Sequence, residues 1–327
     1  MAELRWHPLI KDWIIIASHR QNRPHMPKDW CPFCPGSGKV PAKFDVYKYD
    51  NDFPSLMQDP PAPDPVATDF FKVKEAYGKC EVILYSPKHT VRLPELSDAH
   101  VRKLVDLWTE RFEEIQKDPK IKYVFIFENR GEAVGVTMPH PHGQIYGYSV
   151  IPKKIELELE SCKEYYEANN KCLICDMHKN EMEFKERVIF ENDSFSVILP
   201  FFTEYPYGVY IFSKTHKQNL SQMSEKEKDD LAVCVKSTVG MLDCLFDVSF
   251  PYMMCMHQNP VNSEDTSDYY HFHIEFFPPM RSADKQKFNA SSETGAWAHC
   301  NPTAPEEKAV ELREAYAKYM KSQKEEA

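Results

Sequence analysis

The feature that most restricts the fold of this chain is that its landmarks occur twice, in the same order. The first half reads CPFC (Cys31, Cys34), VILYSPKH ending at His89, LPELSDAHVRKLVDLW, then PHPH. The second reads CLIC (Cys172, Cys175), GVYIFSKTH ending at His216, LSQMSEKEKDDLAVCV, then YHFH. From the second cysteine to the histidine there are 55 residues in one half and 41 in the other; the next histidine follows after 51 and 55. Chance supplies one such pairing, not an ordered set. The repeat implies an internal duplication, with residues 1–165 forming one unit and 166–327 the other.

Local signals within each unit alternate between strand and helix. KYVFIFEN and HGQIYGYSVI are rich in aromatic and β-branched residues and read as strands. Residues 97–117 and 224–246 carry apolar side chains at helical spacing, with Ser97 and Ser224 placed as N-caps. Residues 305–325 read as a charged terminal helix, and the proline-rich DFPSLMQDPPAPDPVATD as an exposed loop. The expected class is α+β, with antiparallel sheets flanked by helices in each half.

Charge and composition narrow the function. The 327 residues are 42% hydrophobic and 28% charged, as in ordinary globular proteins. A formal net charge of −10 without a basic block argues against nucleic acid as a partner. The opening MAELRWHPLIKDWIIIASHR holds no apolar run long enough for a signal peptide or a membrane span. A cytoplasmic protein that binds neither nucleic acid nor membrane is expected. In that compartment ten cysteines are not a disulfide framework, and two C-x-x-C pairs point to metal.

Cys31 and Cys34 put two thiolates on one tight turn, the usual first half of a zinc site, and zinc takes four ligands in a tetrahedron. His89 and His140 are the natural completion. The same logic gives Cys172, Cys175, His216 and His271 in the second half. Ligands spread over a hundred residues do not form a nucleic-acid-binding finger.

TMPHPHGQIYGY raises a different possibility. In a strand, residues two apart share a face, so His140, His142, Gln144 and Tyr146 point one way. With His140 tied to metal, His142 is held beside a rigid anchor, and Gly143 and Gly147 leave room for close approach. A neutral imidazole attacks phosphorus, and the Gln144 amide donates hydrogen bonds to phosphoryl oxygens. If the leaving group is itself a phosphate, no strong general acid is needed. The same string also suits a metal site or a core strand with incidental polar residues.

PHPHGQIY resembles the active-site strand of the galactose-1-phosphate uridylyltransferases, within the histidine triad superfamily. HPLIKDWIIIASHRQNRP, YDNDFPSL, SPKHTVRLPELS, FENRGEAVGVTMPHPHGQ, FPYMMCMHQNP and FFPPMRSADKQKF follow the family pattern in order, over nearly the whole chain. The resemblance implies a duplicated histidine-triad-like fold and a two-step transfer. His142 attacks the α-phosphorus of UDP-glucose and carries UMP covalently; galactose 1-phosphate then takes it, giving UDP-galactose. It also implies phosphoryl contacts from Gln144, nucleotide-phosphate contacts from Arg20, Arg23 and Asn129, uridine contacts from Asn51 and Asp52, and sugar-phosphate contacts from Lys287 and Glu293. Cys31, Cys34, His89 and His140 match the family's zinc ligands, and a homodimer is implied. Thr137 stands where a serine is frequent and brings an equivalent hydroxyl. The chain departs from the family after Lys287-Phe288, and it has His273-Ile-Glu275 where a His-x-His pair is common. A second metal would use Glu158, His257 and His273 on the family pattern, or the second cysteine set. The alternatives are an ADP-glucose phosphorylase-like nucleotidyltransferase and a zinc-containing nucleotide-binding protein without catalysis.

Overall fold

The computed structural model describes residues 2–22, 30–136 and 138–326. Twelve strands and six helices, counted among the described residues, make up its regular structure. Near the start, β1 (Glu3–His7), β2 (Asp12–Ile16) and the later β4 (Val73–Glu75) form a small antiparallel sheet in the order β2-β1-β4. The other strands of the first half are β3 (Tyr47–Asp50), β5 (Gly78–Leu84), β6 (Tyr123–Arg130) and β7 (His142–Tyr148). Those of the second are β8 (Val188–Glu191), β9 (Phe195–Ile198), β10 (Tyr210–Ser213), β11 (Tyr252–His257) and β12 (His273–Phe277).

These nine strands build one antiparallel sheet in the order β3-β5-β7-β6-β11-β12-β10-β9-β8. Reading outward from the β6–β11 seam, β7 corresponds to β12, β5 to β10 and β3 to β9, so the sequence repeat becomes a repeat of strand order. The two half-sheets are joined edge to edge, with Tyr252 opposite Arg130 and Met256 opposite Ile126.

One face of the sheet is covered by α1 (Asp98–Ile115) and α4 (Glu225–Phe246), the helices that follow His89 and His216. Ser97 and Ser224 cap them, each side chain accepting a hydrogen bond from the backbone N–H three residues on. Trp108, Phe112 and Val105 of α1 and Val235 and Val239 of α4 are fully buried against Ile83, Ile126, Ile145, Met254 and Ile274 of the sheet. The core is therefore continuous across the seam. Gly147 belongs to this face, because a Cβ there would stand 2.7 Å from Ile115.

The opposite face carries the polar machinery. Over its second half lie α2 (Lys153–Asn169) and α3 (Leu173–Phe184), packed through Cys162, Ile174, Phe212 and Tyr270. The expected division at 165/166 falls inside α2. A short α5 (Ser291–Ala296) precedes α6 (Pro305–Glu326), which packs on α4. None of the helices among the described residues is long and apolar enough to cross a membrane.

Candidate active site and metal centres

Strand β7 sets the geometry of the site. It pairs with β5 and β6 on its two sides, so its backbone is fixed along its length. Tyr85, just beyond β5, fixes its start: the Tyr85 N–H donates to the Pro141 carbonyl at 3.0 Å. The Tyr85 hydroxyl lies where a Gly143 Cβ would be only 2.3 Å away, and it donates to Glu128 Oε2 at 3.2 Å. Tyr85 thus brackets His142 from both neighbours. Glu128 is buried, and that burial pushes its carboxyl up to about 7 despite the opposing influence of Arg130.

The His142 tautomer follows from its surroundings. Nδ1 lies 2.8 Å from the His140 carbonyl oxygen, which only accepts, so Nδ1 carries the proton and Nε2 keeps its lone pair. The Phe33 ring stands 5.6 Å from the His142 ring, centroid to centroid. The imidazole borders a cavity of about 450 Å³ that also holds Arg20, Asn51, Asp52, Asn129 and Gln144. These side chains come from four separate stretches of sequence and meet at one place. The Tyr49 hydroxyl holds Asp52 at 2.7 Å, and the Tyr146 hydroxyl holds the Gln144 carbonyl oxygen at 3.2 Å. A second cavity, of about 480 Å³, meets the first at His142 and Asn129 and is walled by Arg92, Glu128 and Arg130.

Arg23 and Thr137 lie outside the described residues. Lys287 and Glu293 do not line either cavity. Their charged groups stand 4.0 Å apart, with the Lys287 ammonium 4.8 Å over the Tyr205 ring.

Among the described residues, three clusters of side chains are able to hold a metal ion, and in each the ligand atoms lie within 4.8 Å of one another. Four donors about 2.0–2.3 Å from one ion stand about 3.3–3.8 Å apart at the corners of a tetrahedron. In the first cluster, Cys34 Sγ is 3.3 Å from His89 Nδ1 and 3.6 Å from His140 Nδ1, and Cys31 Sγ is 3.8 Å from His140 Nδ1. In the second, Cys175 Sγ is 3.3 Å from His216 Nδ1 and 3.2 Å from His271 Nδ1, with Cys172 alongside. Outer hydrogen bonds fix the rings. His140 Nε2 donates to the Ser86 carbonyl at 2.8 Å and His216 Nε2 to the Ser267 carbonyl at 2.9 Å, so each Nδ1 is free to ligate. Burial drives the His140 imidazole down to about 4, which keeps it neutral as a ligand must be.

The two cysteine pairs differ in setting. Burial pushes the Cys31 thiol up to about 11, whereas a hydrogen bond from Cys175, aided by His216 and His271, pulls Cys172 well below the usual thiol range. Cys172 also stands at the N-cap position of α3, with no capping hydrogen bond from its side chain.

The third cluster is Glu158, His257, His273 and Glu275. His257 Nδ1 is 2.9 Å from Glu158 Oε2, His257 Nε2 is 3.4 Å from Glu275 Oε2, and His273 Nε2 is 3.6 Å from Glu275 Oε1. Sequence reasoning brought three of the four together and missed Glu275. The signal was present: two residues beyond His273, it shares that residue's face of the strand. It also missed Lys154, whose ammonium stands 2.5 Å from Glu275 Oε2. Burial alone would raise the Glu275 carboxyl, but His257, His273 and Lys154 hold it well below the usual carboxylate range.

Comparison with known proteins agrees with this arrangement. Residues 1–152 match the family model described as the galactose-1-phosphate uridyl transferase N-terminal domain, and residues 158–323 match the C-terminal domain. The chain is 42% identical to a galactose-1-phosphate uridylyltransferase of Thermotoga maritima over 315 residues, covering 96% of this chain and 98% of the relative. It is 32% identical to the enzyme of that name from Rattus norvegicus, covering 95% of this chain and 86% of the relative. A solved uridylyltransferase structure superposes with a TM-score of 0.88 at 31% identity, covering 97% of this chain and 99% of that one. An Arabidopsis thaliana ADP-glucose phosphorylase shares the fold, with a TM-score of 0.73 at 23% identity, covering 96% and 99%. With both halves matched in order and the match running nearly end to end, the chain belongs to the galactose-1-phosphate uridylyltransferase family.

Proposed function

We propose that the chain moves a uridylyl group from UDP-glucose to galactose 1-phosphate by two displacements on His142. The observation that carries this reading is the 2.8 Å hydrogen bond from His142 Nδ1 to the His140 carbonyl, which makes Nε2 the lone-pair nitrogen of a ring that lines the cavity. In the first step Nε2 bonds to the α-phosphorus as the bond to the bridging oxygen breaks. Glucose 1-phosphate leaves with that electron pair. In the second, a phosphate oxygen of galactose 1-phosphate bonds to the same phosphorus and Nε2 regains its pair. Neither step requires proton transfer, because the leaving group is itself a phosphate.

Gln144, held by Tyr146, donates its amide hydrogens to the phosphoryl oxygens as charge spreads over them. Arg20 and Asn129, which line the cavity, bind nucleotide phosphate, a role the family pattern also gives Arg23 and Thr137. Asn51 and Asp52 take the uridine, with Tyr49 fixing Asp52. Lys287 and Glu293 stand outside their own chain's cavity, so on this reading they contact sugar phosphate in the site of a second copy within a homodimer. Substrates of this kind are dissolved metabolites, consistent with a cytoplasmic enzyme.

The donor sets also fit metal. Two thiolates and two imidazoles suit Zn²⁺ at Cys31, Cys34, His89 and His140, and again at Cys172, Cys175, His216 and His271. The oxygen and nitrogen donors of Glu158, His257 and His273 suit a second type of divalent ion. At the first site Cys31, Cys34, His89 and His140 would hold zinc, which would give the strand that presents His142 a rigid anchor.

The test is the intact mass of the protein after mixing with UDP-glucose alone, with released glucose 1-phosphate assayed in parallel. The expected result is a UMP-sized adduct that galactose 1-phosphate discharges and that His142→Ala abolishes while the fold persists. An adduct from ADP-glucose and none from UDP-glucose would favour the phosphorylase-like activity. No adduct from either would favour a nucleotide-binding protein.

A further inference from the structure

Strand β12 repeats strand β7 with one change of purpose. His140 and His271 are both buried and each belongs to a Cys-Cys-His-His cluster. His142 and His273 follow two residues later, and each donates Nδ1–H to the preceding histidine's carbonyl, at 2.8 and 3.1 Å. Across β11–β12, His273 lies opposite His257. What differs is the group that meets Nε2. In the first half the His142 ring lines a cavity; in the second, Glu158, His257 and Glu275 cluster with His273, with Glu275 at the place of Gln144.

We propose that the two second-half clusters are one coupled pair of cation sites. Glu275 is the fourth ligand of the carboxylate site, and an ion at the cysteine site raises that site's affinity through the backbone of residues 271–273. This rests on the metal assignments proposed above. The His271 ring is pinned at both ends, with Nδ1 facing Cys175 and Nε2 hydrogen-bonded to Ser213 Oγ at 2.6 Å. An ion on Nδ1 therefore fixes the residue whose carbonyl aims the His273 ring. Once aimed, His273 Nε2 stands 3.6 Å from Glu275 Oε1, the spacing expected of two ligands on one ion. Sulfur donors select a thiophilic ion at one site, and two carboxylates with two imidazoles admit a harder one at the other. Lys154, 2.5 Å from one Glu275 oxygen and 3.9 Å from Glu158, offsets the second carboxylate charge. Partners that orient a ligand typically change metal affinity about 10–100-fold. By linkage, the effect is the same in both directions.

Cadmium NMR of the metal-stripped, cadmium-reloaded protein separates thiolate sites from an oxygen–nitrogen site. A competing chelator then gives each site's affinity. Wild type is expected to show two thiolate signals and one oxygen–nitrogen signal, with the first-half thiolate signal as internal reference. Glu275→Gln should lose the oxygen–nitrogen signal and weaken the second-half thiolate site about tenfold, leaving the first-half site unchanged. Cys175→Ser should lose the second-half thiolate signal and weaken the oxygen–nitrogen site by the same factor. Should Cys175→Ser not fold, the Glu275→Gln arm alone decides. If the surviving second-half site keeps its wild-type affinity in either folded variant, the coupling is overturned. An oxygen–nitrogen signal that persists in Glu275→Gln removes Glu275 as a ligand. If wild type shows only the first-half signal, the metal assignments themselves are wrong, and this inference falls with them.

Discussion

At the scale of single residues, Gly143 shows how tightly the strand bearing His142 is held, because the Tyr85 hydroxyl occupies the place a side chain would take. That hydroxyl leans in turn on Glu128, the one carboxyl in the network behind His142 that burial raises to about 7. Glu128 has an ordinary value of 4.5, so between those limits the folded chain keeps a proton that the unfolded chain has lost. Stability therefore falls as pH rises through that window, by ~3 kcal/mol once both limits are passed. Glu128→Gln keeps an acceptor for Tyr85 without the titration. It should be more stable than wild type at about pH 8 and nearly equal at about pH 5, as read from denaturant midpoints. His140 and His142 were legible in the sequence because a metal-type histidine, a proline, a second histidine, glycine and glutamine make a specific string. Glu275 was legible only as a neighbour of His273 on one strand face, because its nearness to His257 and Glu158 depends on strand pairing and on where α2 docks.

Among the elements, the two helices over the core were the plainest. Ser97 and Ser224 were readable as caps, and both accept the hydrogen bond that a cap should. Ser224 adds a reciprocal bond, because the Glu227 side chain accepts from the Ser224 N–H at 2.8 Å. Ser224→Ala should cost about 1 kcal/mol of unfolding free energy, with an unchanged denaturant slope. By contrast, α2 gave little signal in the sequence. It buries only Ile155 and Cys162, and most of its surface is polar, so no apolar stripe marks it. Its value to the molecule lies instead in Glu158 and Lys154, which it lowers onto the sheet.

For the whole molecule, the duplication was legible but its outcome was not. Repeated landmarks say that each half holds a sheet; they do not say that β6 meets β11, since no periodicity encodes register between distant strands. Residues 1–152 or 153–327 expressed alone would leave β6 or β11 as an open edge and divide the core that α1 and α4 share. Each piece should be insoluble or self-associated alone, and the two should yield soluble protein only when produced together, as checked by size-exclusion chromatography. The joined sheet has just two outer strands, β3 and β8, each four residues long. Lys48 and Asp50 put charge along β3, and the Arg313 guanidinium from α6 donates to the carbonyls of Glu186 and Val188 at the other end. A nine-stranded ribbon is long enough to recruit further strands from neighbouring molecules. Here both ends are short and either charged or capped, so the ribbon resists growing into a fibre, and the strand bearing His142 lies two places in from the nearer end.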